Sequence, residues 1–264
     1  MTDREYAHLL VRRDSGVATV TLNRPEARNA LNMDLKRSLA DVFADLADDP
    51  AVRCVLITGA GGAFSAGGDI VEMELNDTPT HSRARLQVLL REVFQPLAEM
   101  EKPTVAAVNG HAHGAGLSLA LACDLIMAAN NVTMSCAFSR MGLLPDCGAL
   151  YFLPRRLPIS LVKDLVLTGR TFSAEEALAM QLINRVVPAD ELGAAAHDLA
   201  QTLAAGPTVA LGLAKRLLDQ SVQSTWAEMA MLEALGQAVC YSTTDHLAAR
   251  AAFAQRLRPE FLGI

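Results

Sequence analysis

The sequence predicts an α/β fold, a mostly parallel sheet covered by helices. Three observations predict it. Apolar strand patterns alternate with helical ones in two successive copies. Each copy breaks at a cluster of glycine. The period then turns purely helical toward the C-terminus. A chain of 264 residues, 51% of them hydrophobic, is long enough to bury most of its unfolded surface without a disulfide or a metal.

Each element has a local reason. Residues 17–23 alternate, with Ala18, Val20 and Leu22 on one face and Thr19 and Thr21 on the other, as in a half-buried strand. Leu35, Leu39, Val42, Phe43 and Leu46 recur at helical spacing behind an Asn32 cap, and Asp49-Pro50 ends that helix. Residues 52–58 read as a buried strand that breaks at Gly59-Ala60-Gly61-Gly62. The second copy is a helix over 82–100, a break at Lys102-Pro103, a strand over 104–109 and then Gly110. Residues 124–128 add a strand, and 173–181 open on a Ser-x-x-Glu capping box, Ser173 with Glu176. Residues 191–253 are helical throughout, with an interruption at Gly206-Pro207. The chain therefore divides into a core over 1–204 and a helical region over 205–264. The Ala/Leu/Met faces of that region need a partner, either the core or another subunit.

The bulk numbers exclude several classes. A net charge of −6 counts against nucleic acid or an anionic membrane as the main partner. The longest strongly apolar stretch, 117–129, is too short to span a bilayer and contains Asp124. Residues 1–13 carry scattered charges and do not read as a secretory signal. Five cysteines without a Cys-x-x-Cys pair argue against structural zinc and for small buried hydrophobes in a reducing, cytoplasmic compartment. His111 and His113 have the spacing of a ligand pair, but no third ligand is evident nearby, so no metal site is expected.

Two strand ends feed glycine-rich turns that then enter helices. The first turn is Ala63-Phe64-Ser65-Ala66-Gly67-Gly68-Asp69-Ile70 and the second Gly110-His111-Ala112-His113-Gly114-Ala115-Gly116. Glycine permits positive φ and close backbone approach, and a helix N-terminus presents unpaired N–H groups at the positive end of its dipole. Two such loops could each aim one N–H at a single oxygen, forming an oxyanion hole. Spacing alone leaves this open against two plain tight turns. Neither loop is a phosphate-binding P-loop, since Gly-x-x-x-x-Gly-Lys-Ser/Thr is absent.

At these residues the chain resembles the crotonase, or enoyl-CoA hydratase/isomerase, superfamily. The likeness runs through Asn23-Arg24-Pro25-Glu26-Ala27-Arg28-Asn29-Ala30-Leu31-Asn32, Ile57-Thr58-Gly59, the first loop and Lys102-Pro103-Thr104-Val105-Ala106-Ala107-Val108-Asn109-Gly110. It continues through Cys123-Asp124, Gly142-Leu143-Leu144-Pro145-Asp146-Cys147-Gly148, Leu153-Pro154-Arg155 and Leu167-Thr168-Gly169. The resemblance implies a crotonase-like spiral of repeated ββα units with a C-terminal helical trimerisation region. It implies an acyl-CoA thioester as substrate, with coenzyme A entering as part of that substrate and no separate cofactor. It also implies a homotrimer or a dimer of trimers, with Arg256–Phe261 near a neighbouring subunit's CoA. The oxyanion donors it implies are the N–H groups of Ala66 and Ala115, the latter an alanine where most relatives have glycine; the hole survives if the Ala115 φ is negative. The CoA thioester would be held by Arg28, Ala30, Ala66, Gly67, Gly68, Asp69, Ile70, Gly114 and Ala115. Arg28 reads equally as a phosphate contact or a solvated loop charge.

The chain departs from the hydratases of that superfamily at their two glutamates, which correspond here to Ser118 and Phe138. Neither side chain can act as a general acid or base. Asp146 remains, and the Pro-Asp-Cys-Gly run most resembles the branch containing ring-1,2-epoxyphenylacetyl-CoA isomerase and Δ3,Δ2-enoyl-CoA isomerases. One base suffices to move a double bond, and burial among Leu143, Leu144 and other apolar groups would raise its pKa. The alternative is that Asp146 only caps a Pro-Asp-x-Gly turn. The expectation is an isomerase that converts a 3-enoyl to a 2-enoyl thioester. A ring-epoxide isomerase, a weak hydratase and a catalytically poor acyl-CoA-binding protein remain alternatives. Asp69 reads as structural, Ser118 as a buried serine bonded to a backbone carbonyl, Glu72 and Glu74 as possible rim residues, and Tyr151 and Trp226 as packing.

Overall fold

The computed structural model describes residues 5–73 and 78–264. The chain opens with strands β1 (Leu9–Asp14) and β2 (Val17–Leu22), joined by a tight turn in which Ser15 and Gly16 both take positive φ. Strand β1 lies at the sheet edge, and its second half is largely exposed and charged, which blunts the edge and breaks the alternation a sequence reading looks for. Helix α1 (Met33–Asp48) follows behind Asn32, whose side chain accepts the Leu35 N–H.

Three successive turns then share one plan. Strand β3 (Cys54–Gly59) is followed by the short β4 (Ala63–Ser65) and by α2 (Ile70–Met73). After α3 (Pro79–Leu89), a π turn over Leu90–Phe94 and α4 (Gln95–Glu99), the second turn runs through β5 (Thr104–Val108), β6 (His111–His113) and α5 (Ala115–Leu121). The third has β7 (Leu125–Ala129), β8 (Thr133–Ser135) and a 3-10 turn over Ala137–Met141. Each turn gives one long strand to a six-stranded sheet, which β10 (Arg185–Val187) completes in the order β1-β2-β3-β5-β7-β10, and one short strand to a four-stranded sheet, which β9 (Thr171–Ser173) completes in the order β4-β6-β8-β9. This is the expected spiral of ββα units. The long strands β3, β5 and β7 pair in parallel and are nearly continuous apolar runs, as strands covered on both faces require.

The remaining elements are α6 (Ala149–Arg156), α7 (Ile159–Thr168), β9 (Thr171–Ser173), α8 (Ala174–Ala179), β10 (Arg185–Val187), α9 (Leu192–Ala204), α10 (Thr208–Ser221), α11 (Trp226–Tyr241) and α12 (Thr244–Ala254). The capping box expected at Ser173 is half present. Ser173 accepts the Glu176 N–H, but the Glu176 carboxylate turns away to Arg170 at 2.6 Å. The helix expected from Ser82 begins at Pro79, capped by Thr78.

The core combines Leu35, Leu39, Phe43 and Leu46 of α1 with the strand interiors. Helix α9 covers the other face of the large sheet, where Leu192 and Ala196 share a cleft with Thr19, Thr21, Leu56 and Ala107. Its buried Ala196, Ala200 and Ala204 allow close approach. Helix α10 is docked on the core by Lys215, 2.7 Å from Asp124, and by Gly212, which abuts the Glu101 backbone. Helix α11 buries no residue, and Trp226 and Phe253 are 82% and 86% exposed. All five cysteines are free thiols. Burial pushes Cys54 and Cys123 up to about 12 and Cys136 to about 11. Among the described residues, no helix is long and apolar enough to cross a membrane.

Candidate active site

The strands that lead into the glycine-rich loops are the short ones of the second sheet, not the long buried strands that the hydrophobic pattern revealed. Strand β4 delivers residues 66–69 to the start of α2, and β6 delivers Gly114 to the start of α5.

Loop 66–69 is sewn to residues 24–31. Asn29 is fully buried with φ +56, and its amide donates to the Ala60 and Ala63 carbonyls at 2.9 and 2.8 Å. Ser65 Oγ donates to the Asn29 carbonyl at 2.8 Å. The Leu31 N–H donates to the Gly67 carbonyl at 2.8 Å, and the Ala66 N–H donates to the Arg28 carbonyl at 2.9 Å. That last bond corrects the expected donor pair, because the Ala66 N–H is committed to Arg28 and is not free for a substrate oxygen. The Gly68 N–H forms no hydrogen bond among the described residues. The pairing of Ala66 with Arg28 is non-local, so spacing within the loop could not reveal which N–H it consumes.

The second loop approaches the first closely. A Cβ on Gly67, whose φ is +101, would lie 2.7 Å from the His113 carbonyl oxygen and 3.4 Å from the Ala115 nitrogen. Gly114 donates its N–H to the Ser135 carbonyl at 3.0 Å and takes the positive φ at the corner. Ala115 is thus the first helical residue of α5, with φ outside the positive range, and its N–H forms no hydrogen bond among the described residues. The His113 and His111 rings are held by Ser135 Oγ and Thr133 Oγ1, each at 2.8 Å. Burial and the neighbouring His111 and Arg140 pull His113 below its ordinary pKa.

The acidic side chains around the loops divide by what they touch. Asp69 accepts from Arg24 at 2.9 Å and from the Val71 N–H at 3.0 Å, and Arg24 draws its carboxyl below the usual range, so its role is structural. Glu72 accepts the Met33 N–H at 2.5 Å and faces Lys36 at 3.3 Å. Glu74 lies outside the described residues. The Asp146 carboxylate forms no ion pair among the described residues. Burial raises its pKa, against the opposing pull of the Cys147 thiol and the Lys36 charge. Leu143 and Leu144 do not supply that burial, since they are 46% and 75% exposed. Ser118 is fully buried, and its hydroxyl reaches the Gly114 carbonyl at 3.3 Å and the Asp146 carbonyl at 3.2 Å. Phe138 is buried and packs toward Gly114.

Other expected contacts lie at the rim. The Arg28 side chain is exposed and has no ion-pair partner among the described residues, and its φ of +52 is left-handed. Ala30 is buried, with its carbonyl accepting from Arg24 at 2.7 Å, whereas Ile70 is exposed. Tyr151 carries the Arg155 guanidinium 3.5 Å from its ring centroid.

Comparison with known proteins fits this arrangement. The sequence model of the enoyl-CoA hydratase/isomerase family matches residues 12–263. The chain is 36% identical over 254 residues to the 1,2-epoxyphenylacetyl-CoA isomerase of Escherichia coli K12, covering 95% of this chain and 96% of that one. It is 33% identical over 258 residues to a short-chain-enoyl-CoA hydratase of Clostridium acetobutylicum, covering 97% and 98%. Among solved structures it is similar to an enoyl-CoA hydratase from Bacillus anthracis, with a TM-score of 0.91, 28% identity and coverage of 97% and 100%.

Proposed function

The chain belongs to the enoyl-CoA hydratase/isomerase family, and on that premise we propose that it moves the double bond of a 3-enoyl-CoA thioester to the 2-position, with Asp146 shuttling the proton. One observation carries the reading. Among the described residues Asp146 is the carboxylate without an ion-pair partner in the loop that Ser118 ties to α5, while Asp69 and Glu72 are held by Arg24, Lys36 and backbone amides. In the mechanism, the Asp146 carboxylate takes a proton from C2. The electron pair delocalises into the thioester carbonyl, and the N–H groups of Gly68 and Ala115 hold the resulting enolate oxygen. The Asp146 carboxylic acid returns its proton to C4, the C2–C3 double bond forms, and the base is regenerated. A pKa raised by burial suits a group that must both accept and return a proton.

Hydration asks for a base to activate water and an acid to protonate carbon. Ser118 and Phe138 stand where the resemblance places the hydratase glutamates, and neither titrates usefully. Asp146→Asn assayed with 3-hexenoyl-CoA tests the reading. Loss of turnover supports it, and unchanged turnover overturns it. Hydration of crotonyl-CoA by the wild type at a rate matching its isomerisation would overturn it as well.

The likeness to the Escherichia coli epoxide isomerase favours a second reading, in which the same acid and hole act on the ring epoxide of an aromatic acyl-CoA. Turnover of such a thioester in preference to 3-hexenoyl-CoA would select it. For either substrate, the exposure of Arg28 supports its reading as a contact to a CoA phosphate. The apolar, solvent-facing sides of α11 and α12 are assigned to contacts between copies of this chain in a trimer or a dimer of trimers.

A further inference from the structure

We infer that Ser118 is a positioning residue for Asp146, its hydroxyl tying the loop of the acid to the helix that presents the Ala115 N–H. The inference rests on the reading of Asp146 as the proton shuttle. A bond from a buried helical serine to the carbonyl four residues back, here Gly114, is ordinary local geometry. The bond to the Asp146 carbonyl is not local, since it joins residues 28 positions apart. A hydroxyl has one proton, so the two carbonyls share it.

The tie matters because the loop has so little else. Among the described residues, no other hydrogen bond joins residues 144–148 to a different element. The Ala149 N–H returns to the Asp146 carbonyl, and the Tyr151 and Phe152 N–H groups return to Gly148, all within the loop and its own helix α6. Cys147 and Gly148 follow in sequence at φ +54 and +82, so a non-glycine residue beside the acid is held in the left-handed region. The other end of the tie is rigid. Every residue of α5 is buried, and Gly116 sits directly against the Ser65 backbone. Ser118 therefore hands the position of the oxyanion donors on to the acid. Proton transfer needs the donor, acceptor and enolate aligned at hydrogen-bond range, and a displacement of about 1 Å can cost on the order of a hundredfold in rate.

The test compares Ser118→Ala, Ser118→Thr, Asp146→Asn and the Ser118→Ala/Asp146→Asn pair on 3-hexenoyl-CoA. Ser118→Ala is expected to lower kcat roughly 10- to 100-fold with KM unchanged. It should also move the acid limb of the pH profile to lower pH, because a loosened loop admits water to the carboxylate, and it should speed amide exchange over residues 142–148. Ser118→Thr restores most of kcat, and Ser118→Ala costs nothing further once Asp146 is Asn. Near-normal kcat and exchange in Ser118→Ala, with Asp146→Asn inactive, overturns the inference and leaves the Asp146 reading standing. Full activity of Asp146→Asn overturns that reading instead. Equal losses in the Ala and Thr variants, or a further loss in the paired variant, assign Ser118 to packing and overturn the inference.

Discussion

The Ala66 N–H donates to the Arg28 carbonyl at 2.9 Å, and one residue further on the Gly67 carbonyl accepts the Leu31 N–H at 2.8 Å. These two bonds zip residues 28–31 onto the glycine-rich loop. They take the Ala66 N–H and the Gly67 carbonyl, the Gly67 N–H donates to Ser65 Oγ at 3.2 Å, and the Gly68 N–H next to the start of α2 is left without a partner among the described residues.

Gly68→Pro removes that donor, and its ring also fixes the local φ, an effect that the melting temperature reads separately. Loss of one oxyanion donor typically costs 100- to 1000-fold in kcat. We expect a fall of that size in Gly68→Pro, with a much smaller one in Gly68→Ala, which keeps its N–H. Steady-state kinetics with 3-hexenoyl-CoA, beside thermal melts of both variants, decides it. Equal activity of the two variants would remove Gly68 from the hole.

Asp146 sets the pH dependence. Burial holds its carboxyl above the ordinary value of about 3.9, so the acid limb of kcat/KM lies above that value. Lys36 pulls in the opposite direction. Lys36→Met therefore moves the limb to higher pH, and the Glu72 carboxylate that Lys36 faces adds to the shift. Stability follows the same sign. The folded protein holds the Asp146 proton more tightly than the unfolded chain, so this contribution is complete below the unfolded pKa and is lost as pH rises through the folded one. Asp146→Asn should then melt above the wild type at pH 7, with the gap closing near pH 3. A limb that stays put in Lys36→Met, or a lower melting point for Asp146→Asn at pH 7, contradicts this account.

How much of this the sequence discloses depends on whether a feature is local. Helix α1 announces itself through Asn32 and its apolar stripe, because both signals lie within the helix. Strand β1 does not, because an edge strand ending in Arg12, Arg13 and Asp14 has lost its alternation. Strands β4, β6 and β8 have three residues each, too few to show a period. Strands β4 and β6 lie inside loops whose glycines are legible. The site divides in the same way. Ala115 and Asp146 stand out by residue type and context, whereas the loss of the Ala66 N–H depends on Arg28, 38 positions away. The apolar neighbours of Asp146 in sequence, Leu143 and Leu144, point outward, so adjacency along the chain misidentifies what desolvates the acid.

The C-terminal helices offer a prediction about assembly. Phe253 on α12 and Trp226 on α11 are 86% and 82% exposed, and Met231, Leu235 and Leu247 are more than half exposed. Apolar surface of this extent marks an association face. Light scattering of the purified protein at micromolar concentration should give a trimer or hexamer. Fully burying a phenylalanine contributes roughly 1.5–3 kcal/mol, and a charge in its place also carries a desolvation cost. Phe253→Asp should therefore weaken association by at least tenfold and populate smaller species on dilution. Because Phe253 makes so little contact within its own chain, the fold should be unaffected, and far-UV circular dichroism should be unchanged. A wild-type protein that is monomeric at this concentration, or a Phe253→Asp variant that assembles as tightly, would free this face from any role between subunits.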